Sequence, residues 1–138
     1  MKRFFLCLLV LLLMLGMEFV RSNYTVGVSH YNIAIENLPE QFEGYRILQI
    51  TDLHSKSFPQ LQKSIQRQNP DIIVMTGDMV SSTDREFEIF LNLARQVAPQ
   101  IPTYFIIGNH EQALPRASLA ELTARLADAG VRILDNRA

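Results

Sequence analysis

Aspartate, histidine and asparagine recur in three short phrases of this chain: Asp52-Leu53-His54, Gly77-Asp78 and Gly108-Asn109-His110-Glu111. Carboxylate and amide oxygens are hard donors and imidazole nitrogen is borderline, so the set suits Mn, Fe, Zn or Mg better than a metal selected by thiolates. The one cysteine, Cys7, lies upstream in an apolar run and offers no competing ligand. On an extended segment the side-chain period is two, which would send Asp52 and His54 to the same side and let both reach one ion. Asp78 would supply a carboxylate able to bridge to a second ion. Divalent cations held in this way polarise phosphoryl oxygens and lower the pKa of bound water, which is the chemistry of phosphoester hydrolysis.

For these phrases to form one site, the elements carrying them must bring them to one edge. Each follows a run rich in β-branched and aromatic residues, at positions 45–50, 72–76 and 103–107, the signature of buried strands. Helix-like segments lie between, and alternation of this kind predicts an α/β fold with parallel strands and crossover helices. Ligands in open α/β sheets gather beyond the carboxyl ends of the strands, so the three phrases would meet there. A last strand is expected at Val131-Arg132-Ile133-Leu134.

In this order and at about one βαβ crossover apart, the phrases resemble the first three motif blocks of the calcineurin-like metallophosphoesterases. The resemblance covers roughly residues 24–138. It leans toward a membrane-associated bacterial branch, through Leu38-Pro39 followed by Phe42-Glu43-Gly44-Tyr45-Arg46-Ile47 before the first block. It implies the amino-terminal half of an αββα sandwich and two divalent metal ions. Asp52 and His54 would bind the first ion, Asp78 would bridge, and Asn109 would bind the second. His110 would stand beside the scissile phosphate, stabilising its charge or protonating the leaving oxygen, with Glu111 orienting it. The substrate would be a phosphomonoester or a phosphodiester.

The family pattern continues past the third block to a lone His and a Gly-His-x-His block, whereas this chain has no histidine after His110. The first ion would keep Asp52, His54 and Asp78, and the second only Asp78 and Asn109. Two protein ligands hold a divalent ion poorly. The expectation is therefore a front half: residues 1–22 a membrane anchor or signal peptide, and residues 23–138 an incomplete calcineurin-like domain. The alternative is a non-catalytic, membrane-tethered remnant that binds metal weakly or not at all. The remaining histidine, His30, falls in a strand-like stretch at 24–35 and matches no family ligand.

Helix signals support the alternation. Thr83-x-x-Glu86 and Ser118-x-x-Glu121 read as capping boxes. The first precedes Phe87, Phe90, Leu91, Ala94 and Val97 at helical spacing with Pro99 as the stop; the second precedes Leu119, Leu122, Leu126 and Ala129 with Gly130 as a carboxyl-terminal cap. A shorter helix is expected from Pro59 to Gln68, ended by Asn69-Pro70.

The amino terminus is a separate object. Lys2-Arg3 precede an uncharged run from Phe4 to Met17, and apolar character continues to Val20 with only Glu18 interrupting. About 17 helical residues span roughly 25 Å, close to the hydrocarbon thickness of a bilayer. The run lacks a clear small-x-small cleavage site, which favours an uncleaved anchor over a signal peptide. The basic pair before it favours an inside amino terminus and an extracytoplasmic domain at the cell membrane. A formal net charge of −1 gives no reason to expect nucleic acid as a partner.

Overall fold

The structure, a computed structural model, describes residues 2–135, so the last three residues of the expected domain lie outside it. The chain divides into two compact units, residues 1–34 and 35–138. In the first, α1 (Lys2–Tyr24) is a continuous helix whose large apolar side chains, from Phe4 through Val20, are exposed. The span Arg3–Arg21 is long and apolar enough to cross a membrane. Glu18 and Arg21 pair near its end. The stretch expected to be a strand, residues 24–35, pairs with no strand, and His30 on it is exposed. Alternating side chains suit a strand only where a neighbour supplies the ladder, and none of the described elements does so here.

The second unit is a parallel α/β sheet, as expected. β1 (Ile47–Ile50), β2 (Ile72–Met75), β3 (Thr103–Ile106) and β4 (Arg132–Leu134) lie in the order β1-β2-β3-β4, every pair parallel. The register places Ile50 beside Met75, Met75 beside Phe105 and Phe105 beside Ile133. Crossovers are α2 (Leu61–Gln68), α3 (Glu88–Val97), and the pair α4 (Asn109–Gln112) and α5 (Arg116–Asp128).

A parallel sheet whose strands follow one another in sequence order, joined by right-handed crossovers, carries all its helices on one face. Burial follows that rule. Ile50, Ile73, Met75, Thr103 and Phe105 point to the covered face and are buried with Phe90, Leu91, Leu122 and Leu126 of the helices. Side chains of the opposite parity, Ile47, Ile106 and Leu134, are exposed. Among the described residues there is thus one sheet and one helical layer, half of an αββα sandwich.

Helix starts differ from expectation. α3 begins at Glu88 with Phe87 at its N-cap, and α5 at Arg116 with Pro115 there, so neither Thr83 nor Ser118 caps a helix. Thr83 sits in a loop whose turn is held by Asp84, which accepts from Ser81 N at 2.7 Å. Pro115 favours an earlier start because its fixed φ and missing N–H suit a helix entrance. α2 begins at Leu61, two residues after Pro59. The stops agree: Asn69 adopts a left-handed φ of 45°. Gly130 has φ 92°, and Val131 N to Leu126 O with Gly130 N to Ala127 O complete a Schellman motif.

Candidate metal centre

All three phrases lie just past the carboxyl ends of β1, β2 and β3. The β1–β2 pairing runs on into them: Asp52 N donates to Gly77 O at 3.3 Å, His54 N to Asp78 O at 3.0 Å and Ser55 N to Met79 O at 3.0 Å. Asp52, His54, Ser55 and Asp78 all adopt left-handed φ values between 46° and 57°. The extended geometry assumed for Asp52-x-His54 is therefore not what brings these side chains together; a left-handed turn is. Such φ values cost a non-glycine residue on the order of 1–2 kcal/mol, and four of them beside one another mark a backbone shaped by surrounding contacts.

Two glycines make the close approach of the second and third phrases feasible. A Cβ on Gly77 would stand 2.5 Å from Gly108 Cα, and one on Gly108 would stand 2.5 Å from Asp78 N. Gly77 also has φ 92°, which a side chain would oppose.

Within this edge, ligand atoms of His54, Asp78 and His110 lie within 4.8 Å of one another, each half-buried. The two imidazole rings meet edge to face with centroids 4.5 Å apart. Asp52 reaches the group through His54, its Oδ1 lying 3.7 Å from His54 Nε2, but its side chain is 60% exposed and it stands outside the tight trio. Thr51 Oγ1 donates to Asp52 Oδ2 at 2.7 Å.

Asp78 is the hub. Its Oδ1 accepts from His110 N at 3.0 Å. The Asn109 amide lies directly against its carboxylate: turned one way, the NH2 donates to Asp78 Oδ2 at 2.9 Å and Oδ1 at 3.3 Å. Turned the other way, Asn109 Oδ1 joins the two carboxylate oxygens in a group made only of acceptors, which a cation among them would reconcile. This donor set fits a hard or borderline divalent metal.

His110 is held by its other nitrogen. Ser82 N donates to His110 Nδ1 at 3.2 Å, so in the neutral ring the proton is on Nε2. Glu111 was expected to orient this ring and does not contact it through either carboxylate oxygen. It is fully buried, and its carboxylate accepts backbone N–H bonds from Gly108, Asp78, Met79 and Val80. The carboxylate reaches those donors because α4 starts at Asn109 and turns the Glu111 side chain back under the Asp78 loop. Sequence reading also passed over Asp84, which joins the first two phrases by accepting from Ser55 Oγ as well as Ser81 N. The polar cluster Ser81-Ser82-Thr83-Asp84 was its signal.

A parallel sheet with carboxylate, imidazole and amide donors gathered beyond its strand ends defines an α/β protein with a candidate metal site at the edge where such sheets bind ligands. Comparison with known proteins narrows this: the model of the calcineurin-like phosphoesterases matches residues 45–136, and the chain belongs to that family. Its relatives include an uncharacterized metallophosphoesterase of Aquifex aeolicus, 26% identical in an alignment that covers 85% of this chain and 46% of that protein. Another is the uncharacterized metallophosphoesterase YkuE of Bacillus subtilis, 25% identical over 64% of this chain and 34% of the relative. A third is a transmembrane protein with metallophosphoesterase domain from Danio rerio, 27% identical over 57% of this chain and 20% of the relative. The chain therefore spans less than half the length of these relatives. Family membership supports a phosphoester-hydrolase role that uses divalent metal.

Proposed function

We propose that these residues form the amino-terminal part of a two-metal phosphoesterase acting on a phosphomonoester or phosphodiester. The observation that carries the reading is the convergence of His54, Asp78 and His110 within 4.8 Å at the strand ends. Asp52 and His54 are assigned to one ion, Asp78 to the bridging position and Asn109 to the second ion, whether Mn, Fe, Zn or Mg. When bound, such ions supply Lewis-acid polarisation of the phosphoryl group and a hydroxide near neutral pH.

The chain's own residues do the rest. Asp78 holds the two ligand phrases in register through His110 N, and the left-handed turn at Asp52 to Ser55 directs the first phrase toward it. His110 is assigned a place beside the scissile phosphate, where it stabilises developing charge by hydrogen bonding. With Nδ1 engaged by Ser82 N, its Nε2–H is the group that can donate to a phosphoryl or leaving-group oxygen. The same tautomer argues against direct metal ligation by His110, since Nε2 has no free lone pair while it carries the proton.

α1 supports membrane attachment, with the site-bearing unit assigned to the extracytoplasmic side by the basic pair at its start. A second reading, a tethered remnant that binds metal weakly, draws on the exposure of Asp52 and Asn109. The deciding experiment expresses the reading frame carrying these residues and measures Mn2+-dependent hydrolysis of a generic aryl phosphodiester. Activity abolished by Asp78→Ala supports the enzyme; neither activity nor Mn2+ binding supports the remnant.

A further inference from the structure

Glu111 is the one fully buried carboxylate among the described residues, and burying a carboxylate is costly unless its charge is met by hydrogen bonds. Oε2 accepts from Gly108 N at 2.8 Å and Asp78 N at 2.9 Å, and Oε1 from Met79 N at 2.8 Å and Val80 N at 3.1 Å. A helix cap accounts for the Gly108 bond alone, since an acidic residue at the third helical position reaches back to the N-cap N–H. The other three bonds cross to the loop after β2.

We infer that Glu111 is a positioning residue for Asp78, clipping the backbone of Asp78, Met79 and Val80 to the start of α4. Resting on the metal-dependent reading above, this clip sets where the bridging carboxylate stands. Asp78 occupies a left-handed φ of 54° that its own backbone does not favour, so an external contact must hold it there. Charge-assisted bonds from a buried carboxylate are strong enough for that task. The hold is reciprocal: Glu111, on α4, binds the Asp78 amide, while the Asp78 carboxylate binds the His110 amide of the same helix.

Glu111→Gln in the full chain preserves shape but replaces one acceptor by an NH2 donor that faces N–H groups. Mn2+ affinity, read from the paramagnetic resonance of free aquo Mn2+, is expected to weaken about 10–100-fold, the usual effect of losing a group that supports metal ligands. Hydrogen exchange is expected to lose protection at the amides of Gly108, Asp78, Met79 and Val80 while the β2 and β3 amides keep theirs. A merely structural role would lower protection evenly across the strands and would overturn the inference, as would unchanged affinity with unchanged exchange. If the variant does not fold, exchange in the unsubstituted chain decides: strand-like protection at those four amides supports the clip, and loop-like exchange refutes it. An unsubstituted chain that takes up no Mn2+ counts against the metal reading, and the same exchange pattern then judges the clip on its own.

Discussion

The close approach of Gly77 and Gly108 is the steric condition for the site. Because an added Cβ on Gly108 would lie 2.5 Å from Asp78 N and 2.8 Å from Glu111 Oε2, Gly108→Ala must push the two loops apart. Overpacking of this kind costs about 1–3 kcal/mol, and urea denaturation is expected to show a loss in that range accompanied by weaker Mn2+ binding. For His110 the tautomer makes a separate prediction. His110→Ala in the expressed reading frame is expected to slow hydrolysis of an aryl phosphodiester by about 10²–10³-fold, the usual effect of losing one hydrogen-bond donor to transition-state charge. Mn2+ affinity should hold steady in that variant; if affinity collapses instead, His110 is a ligand and the assigned role is wrong. The types of these residues were legible in the sequence, but most of Glu111's task was not, because three of its four partners are backbone amides of a loop more than thirty residues away.

The helices were legible by their apolar faces and their stops, less so by their starts. Phe90, Leu91, Ala94 and Val97 of α3 and Leu122 and Leu126 of α5 are buried as their spacing requires. The two expected capping boxes failed because Asp84 and Pro115 organise those entrances. On the outer surface α3 and α5 are joined by Glu88, which pairs with Arg125 and, at 3.1 Å, with Arg95. The hydrogen bond from Arg125, followed by that from Arg95, holds the Glu88 carboxyl below the usual carboxylate range. A carboxyl with a depressed folded pKa adds stability above its unfolded pKa and loses it as pH falls through the folded value. Glu88→Gln should therefore lower the melting temperature slightly at pH 7, and the gap from the unsubstituted chain should close at acid pH. A gap that persists at pH 3 would mean that the pairing is not its source. The effect should also shrink in high salt, as expected of a solvent-exposed network.

Taken together, the parallel sheet has one helical layer and one face on which Ile47, Ile106 and Leu134 are exposed. Parallel sheets are ordinarily covered on both faces, so the molecule as described is half of a sandwich, consistent with its spanning 46% of the Aquifex relative. The amino-terminal unit adds a helix whose span Arg3–Arg21 is about 28 Å long at 1.5 Å per residue, matched to a bilayer core. Removal of residues 2–21 is expected to abolish flotation with liposomes while the unaltered chain floats. Flotation that survives the deletion would place membrane attachment elsewhere in the chain.

Spacing and order were enough for the alternation of strands and helices, the parallel sheet and the identity of the residues at the strand ends, because these rest on local periodicity and on residue chemistry; the family was legible through the resemblance of the three motif blocks. The left-handed turn at Asp52 and His54, the tie of Ser82 to His110 and the burial of Glu111 under the Asp78 loop emerged only on folding. Each depends on contacts between segments distant in the chain, and no local pattern encodes which backbone amide or carbonyl a distant group will find. For the same reason residues 24–35 alternate like a strand yet form none among the described elements: a strand is completed by its neighbour, and alternation names no partner.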